Sequence, residues 1–250
     1  MRAFRITAAA AFAAFALTLN AQDGLELYIS FDTDQPNDES GNGRDGELVG
    51  RPDLIDGVVK QAWEFDGTST VINLLDQIFK DPDAELSIRF YMKPNDMNGQ
   101  RIIFDEGGAW TGFTVRIFDG MLQFATVCCG ADHPPPEIIE TDAPDDGQWH
   151  EVAAVFGQGK MFLYLDGIEA DMAETDWEQL SGHGQPGAIG NLSPGDTAFG
   201  GGRGFYSGGL DEFRLYSRML SANEVALSVS PAGRLALAWG EVKSRGGASR

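Results

Sequence analysis

The chain has 250 residues and a formal charge of −20, with 38 acidic side chains against 18 basic ones. Such an excess of negative charge repels nucleic acid and anionic membranes, which removes both as partners, and it suits divalent cations or neutral glycans. A length of roughly 200–250 residues is ordinary for a single β-sandwich domain.

Met1 to Ala21 reads as a secretory signal peptide. Arg2 and Arg5 supply the positive start, Ile6 to Leu19 the apolar stretch, and Leu19, Asn20 and Ala21 the cleavage site. The apolar run falls short of the roughly 20 residues a membrane span needs, and no Cys follows it to carry a lipid. The expected product is secreted, extracellular or periplasmic, without a membrane span. Its domain covers residues 22–230, and 231–250 form a C-terminal extension that is small, polar and basic at its end.

Leu25 to Phe31 alternates as a first strand ended by Asp32. Asp34 to Gly46 is dense in Asp, Asn, Ser and Gly, the composition of a turn-rich, cation-friendly loop. It is not a helix–loop–helix calcium loop, because the twelfth position is Val49 rather than a bidentate Glu. Gln61 to Phe65 and Thr70 to Leu74 flank a turn at Asp66 and Gly67. Glu85 to Met92 is a strand with Leu86, Ile88, Phe90 and Met92 inward. Arg101 to Asp105, Phe113 to Phe118 and Met121 to Val127 follow, the last two joined at Asp119 and Gly120.

Gln148 to Gly167 is the centre of the pattern: strands 148–156 and 160–166, joined through Gly157, Gln158 and Gly159, form a hairpin. Both faces of the first strand are largely apolar, which places it inside a packed sheet. Ala170 to Gly209 is Gly-rich and weakly patterned, with one strand near Ala188–Gly190. Leu210 to Tyr216 closes the sheet, and Ser221 with Glu224 caps a helix over Ala222 to Leu227. After Pro231, Arg234 to Val242 suits one more strand or an amphipathic segment. Many short strands separated by Gly and Asp turns mean an all-β sandwich of two antiparallel sheets.

Four stretches in order, LYISFDTDQPNDESGNGRDGEL (27–48), KQAWEFDGTSTVINL (60–74), the W-H-x-V-A … L-Y-L-D-G hairpin and GGLDEFRLYSRMLSANEV (208–225), carry a resemblance. The chain resembles LamG-like domains of the concanavalin A-type jelly roll, over roughly residues 25–227. That resemblance implies an extracellular lectin-like sandwich, in a family that spans binding, adhesion and enzyme-attached modules, so it does not specify the function.

Glu174, Asp176 and Glu178 match the Glu-x-Asp-x-Glu signature of bacterial β-glucanases that share the sandwich. In those enzymes strand alternation puts the carboxylates on one face, with the outer pair about 5–5.5 Å apart for retaining hydrolysis. The flanking residues here do not read as a buried central strand, so the expectation is no catalysis. The three histidines, His133, His150 and His183, lack zinc-site spacing. The leading reading is a non-catalytic module that binds a glycan, an extracellular polysaccharide or matrix material; the alternative is adhesion to protein partners. An exposed aromatic platform with fixed polar groups suits a sugar, which selects Trp110, Trp177 and the loop carrying Cys128, Cys129 and His133.

Cys128 and Cys129 are adjacent and stand in a disulfide-permissive compartment. Neighbours across a trans peptide lie closer than a normal bridge prefers, so a vicinal disulfide, two thiols, or bridges to another chain all stay open. The resemblance also implies a structural Ca2+ between the terminal strands. Its expected ligands are Asp32, Asp211, the Asn42 side chain and the Gly43 carbonyl, since Ca2+ takes six to eight oxygens from flexible turns.

Overall fold

The computed structural model describes residues 23–78, 85–129, 135–192 and 197–229. The leader, the extension from 231 and His133 lie outside them. Two antiparallel sheets form the molecule. The first runs β13 (Ile168–Glu174), β12 (Lys160–Leu165), β11 (His150–Gly157), β6 (Leu86–Pro94), β15 (Ser207–Tyr216), β4 (Gln61–Asp66), β3 (Asp53–Asp56). Strand β1 (Leu25–Ile29) also pairs with β15, further along it than β4 does. The second sheet runs β10 (Glu137–Asp142), β9 (Met121–Val127), β8 (Gly112–Phe118), β7 (Gln100–Gly107), β14 (Ala188–Ile189), β5 (Val71–Leu74), β2 (Gly46–Val49).

Strand alternation fills the space between the sheets. Val152, Ala154 and Phe156 of β11 face inward with Ile88, Phe90, Leu163 and Phe213, opposite Phe104, Phe113 and Phe124 of the second sheet. A second aromatic group, Phe31, Trp63, Phe65 and Tyr206, packs at ring distances of 5.3–6.3 Å. The other face of β11 is apolar for a separate reason. Ala153 and Val155, with Tyr164 and Tyr216, lie beneath Leu220 and Val225, where helix α1 (Ala222–Val229) docks on the outside of the first sheet. The Ser221 hydroxyl and the Glu224 carboxylate complete the capping box at its start.

The hairpin turns follow the sequence pattern. Gln158 and Gly159, Asp166 and Gly167, and Asp119 and Gly120 all have positive φ at both central positions, the geometry that matches strand twist in two-residue hairpins. Four strands escaped the sequence reading. Strands β2 and β3 are short, exposed four-residue edges. Strand β10 follows Pro135 and Pro136, and β13 overlaps the start of the stretch read as weakly patterned; both are exposed edge strands with few core residues. Strand β1 stops at Ile29, since Phe31 takes φ 62°. The edge of β1 is blunted by the following loop: Glu39 N–H donates to the Tyr28 carbonyl, and Asp38 accepts from Tyr28 N–H.

Candidate functional site

Two regions gather the residues singled out in the sequence. The first is the rim formed by one end of the second sheet. Gly107 pairs with Gly112, and Gly112 pairs with Val127, so the 107–112 turn and residues Cys128 and Cys129 emerge side by side. Gly107 has φ 99°, and a Cβ there would meet the Thr111 carbonyl oxygen at 2.2 Å. That tight loop lifts Trp110 into solvent, where it is 55% exposed.

Cys128 and Cys129 are bonded to each other, with Cα atoms 3.7 Å apart. Cys128 is buried and Cys129 exposed. The bridge is seated on the 177–183 segment. Ser181 N–H donates to Cys128 Sγ at 3.1 Å, and the Ser181 hydroxyl lies 3.0 Å from Cys129 Sγ. Trp177 belongs to the same segment but is not the platform expected of it: its ring is half-buried against the main core, and Nε1 is enclosed with no hydrogen-bond partner among the described residues. The rim therefore unites Trp110, Cys128 and Cys129, while Trp177 supports it from beneath.

Below the rim lies a pair the sequence did not reveal. Glu106 is fully buried at the end of β7, accepts the Ile78 N–H at 2.7 Å, and has His183 Nε2 3.5 Å from its Oε1. Burial holds the His183 pKa below its ordinary value. His183 sits in a Gly-rich stretch with no periodicity, so no signal pointed to Glu106. His150 begins β11 in the first sheet, away from this rim, and is half-buried. Its two ring nitrogens contact Asp146 at 3.0 Å and Asp166 at 2.7 Å.

The Glu-x-Asp-x-Glu match does not acquire a strand. Strand β13 ends at Glu174, and Asp176 and Glu178 follow in irregular chain, so alternation does not aim the three carboxylates at a common point; all three are exposed.

The second region is the middle of β15, where the pairing register with β6 shifts between Asp211 and Arg214. Asp211 is fully buried, and its Oδ2 accepts the N–H groups of Val58 at 2.7 Å and Val59 at 3.0 Å. Its Oδ1 is enclosed and, among the described residues, has no hydrogen-bond partner. Burial, with Glu212 and Asp32 nearby, pushes its pKa up to about 8 against the two backbone donors. Asp32 is tied to the same turn through Lys60 Nζ and the Gln61 N–H. The two aspartates thus approach the same 58–61 turn.

Asn42 and Gly43 do not join them. Asp38 accepts N–H groups from Tyr28, Ser40 and Arg44, which folds the loop back along β1, and Asn42 Nδ2 then donates to the Leu25 and Glu26 carbonyls. Leu25 pairs with Tyr216, whereas Asp211 lies beyond the Ile29–Phe213 pair at the opposite end of β1. Asn42 and Gly43 instead line a cleft of 440 Å³ with Arg44, Asp45, Leu75 and Asp76. Among the described residues no group of three or more His, Cys, Asp or Glu side chains is placed to hold a metal ion. No helix among them is long and apolar enough to cross a membrane.

Comparison with known proteins agrees with this architecture. No curated protein sequence matches the chain. Domain 4 of AbnA, an extracellular GH43 arabinanase from Geobacillus stearothermophilus solved with arabinotriose, superposes with a TM-score of 0.65 at 20% identity, covering 82% of this chain and 98% of that one. The binding domain of botulinum neurotoxin DC, solved with rat synaptotagmin II, gives 0.65 at 12% identity, covering 84% of this chain and 52% of that one. The binding domain of Paraclostridial Mosquitocidal Protein 1 gives 0.64 at 16%, covering 83% and 52%. The chain spans about half the length of these two toxin binding domains, and at such identities the likeness shows the fold alone. A laminin G-type family model, described as the concanavalin A-like lectin/glucanases superfamily, matches residues 66–226. The chain belongs to the concanavalin A-like lectin/glucanase superfamily.

Proposed function

We propose that the chain is a secreted, non-catalytic lectin-like module that binds carbohydrate. The observation that carries this reading is the rim: an exposed Trp110 ring beside a disulfide-stiffened Cys128–Cys129 turn seated on Ser181. A flat aromatic face with fixed polar groups beside it suits the mixed apolar and hydroxylated surface of a sugar. An arabinanase domain of the same fold, solved with arabinotriose, supports carbohydrate as the ligand class. The absence of catalysis is supported by Asp176 and Glu178 lying outside β13, so that no shared strand aligns them with Glu174. A glycan-array screen tests the reading: wild type gives discrete hits and Trp110→Ala loses them, whereas hits unchanged by that substitution remove Trp110 from the site. Adhesion to protein is a second reading, favoured by Ile168 and Met172, which stand 72% and 42% exposed on the edge strand β13.

A structural Ca2+ held by Asp32 and Asp211 belongs to the same proposal. Its support is the enclosed Asp211 Oδ1, unpartnered among the described residues, and the raised pKa of that carboxylate. Lys60 would release Asp32 to the ion. A cation bound only by the folded state raises stability by mass action. EDTA is therefore expected to lower the melting temperature and added Ca2+ to restore it, with Asp211→Ala abolishing the response. Melting indifferent to both reagents refutes the ion.

A further inference from the structure

The outer face of the second sheet carries a group that neither the rim nor the aspartate pair uses. Residues 197–205, the Gly-rich stretch around Phe199 and Arg203, fold across part of this face. Ala198 packs on Ala125 and Val127, its N–H bonds the Thr114 hydroxyl, and the Gly202 carbonyl accepts from Gln100. Next to this cover a polar row remains open. Arg116, Gln123 and Glu140 are direct cross-strand partners on β8, β9 and β10. Arg116 Nε donates to Gln123 Oε1 at 2.8 Å, Nη1 to Gln100 Oε1, and Gln123 Nε2 to Glu140 Oε2 at 2.6 Å.

The Arg116 guanidinium hydrogen-bonds neutral amides, and the Glu140 charge acts on it from beyond Gln123. The guanidinium carbon lies 3.5 Å from the Phe199 ring centroid and 4.6 Å from that of Phe118. Among the described residues the other half-buried or buried arginines, Arg44, Arg89, Arg101, Arg214 and Arg218, each have a carboxylate within 4.0 Å, and Arg116 does not. A guanidinium has five donors; Nε and Nη1 of Arg116 are used, and Nη2, unbonded among the described residues, is not enclosed. Burial lowers its pKa to about 10, so it stays charged at neutral pH. A cation fixed in place by two amides and two rings, yet left with open donors, is pre-organised for something outside the chain.

We propose that the Arg116–Gln123–Glu140 row, flanked by the exposed Phe118 ring, is a binding surface for a neutral oligosaccharide. This rests on the carbohydrate-binding reading and gives it a location apart from the rim and a ligand class. Donors at Arg116 and acceptors at Glu140 stand two strands, or roughly 9.6 Å, apart at the usual strand spacing. Hydroxyl groups donate and accept, so a chain of sugars meets both ends of the row. An acidic saccharide would meet Glu140, Asp142 and a total charge of −20. Phe118, 39% exposed, offers the apolar contact.

The test is isothermal titration of the full chain with arabinotriose, laminaritriose and xylotriose, and with an oligogalacturonate. Wild type is expected to bind at least one neutral trisaccharide. Arg116→Met and Arg116→Lys should weaken it about tenfold or more, the size of losing a hydrogen bond to a charged group. Should either Arg116 variant melt early, Glu140→Gln and Phe118→Ala, both at exposed positions, decide the matter through the same loss. Binding removed by Trp110→Ala but untouched by all four row variants overturns this surface and leaves the rim standing. Binding of the oligogalacturonate alone overturns the neutral class. No binding of any probe by wild type overturns both the surface and the carbohydrate reading.

Discussion

Gly209 of β15 lies directly beneath the indole of Trp149: a Cβ at that position would meet the ring carbon Cη2 at 2.5 Å. This contact lets the segment leading into β11 close over the central strands of the first sheet. Gly209→Ala must push either the indole or β15 aside, and overpacking of this kind costs roughly 1–3 kcal/mol. Gly184→Ala, where an added Cβ meets nothing within 4 Å, should stay within about 0.5 kcal/mol of wild type. Urea unfolding of the two variants checks both values, and equal midpoints would contradict the packing account.

Asp211 makes the stability depend on pH in a defined direction. Its folded pKa of about 8 lies above the ordinary carboxyl value of 3.8. The folded state therefore holds the proton more tightly, and the stabilisation present below pH 4 is lost as pH rises toward 8. Asp211→Asn removes the ionisation while keeping the Val58 and Val59 hydrogen bonds. In EDTA it should melt progressively higher than wild type between pH 5 and 8. A difference that stays flat with pH would contradict the raised pKa.

Glu212 and Arg214 form a buried ion pair at 2.5 Å, with the Tyr28 ring 4.0 Å from the guanidinium and the Tyr28 hydroxyl donating to Glu212. Burial works against the Arg214 charge, and the adjoining Glu212 overcomes it, holding the pKa above the ordinary arginine value. Removing one partner strands the other in a dry layer. Arg214→Met should cost about 3–5 kcal/mol, measured by chemical denaturation. A loss under 1 kcal/mol would show that the pair is not isolated from water.

The Cys128–Cys129 bridge should leave no thiol to alkylate in native or denatured protein until reductant is added. Intact-mass spectrometry after iodoacetamide treatment reads this directly. Two adducts without reductant would contradict the bridge, and a mass twice that of the chain would point to pairing between chains.

The centre of the sandwich was legible in the sequence because its strands bury one or both faces. Val152, Ala154 and Phe156 announce a strand by alternation, and Asp166 with Gly167 announces its turn. Strands β2, β3, β10 and β13 were not legible, since exposed edges need few apolar residues and so leave no period to detect. At the site, Trp110 was legible because a tight Gly-flanked loop has little option but to expose a large ring. Trp177 looked the same in sequence, and only packing distinguishes a ring lying on the core from one in water. Asp32 and Asp211 were read as strand ends, whereas β1 stops at Ile29 and Asp211 lies in the middle of β15. Asn42 was misplaced because Asp38 collects three N–H groups and turns the loop back along β1. Arg116 gave no signal at all: a charged residue at an outward strand position is the ordinary pattern, and its missing carboxylate is a property of four neighbouring strands.

The most direct measurement of the central claim is depletion of the protein onto insoluble polysaccharide, with reducing ends assayed in the same supernatant. Arabinan, laminarin-type β-glucan and xylan are the substrates. A non-catalytic module predicts saturable loss of protein from solution onto at least one polysaccharide, with no release of reducing sugar over a day. Release of reducing ends that disappears in Glu174→Gln, or the failure of every polysaccharide to retain the protein, would contradict it.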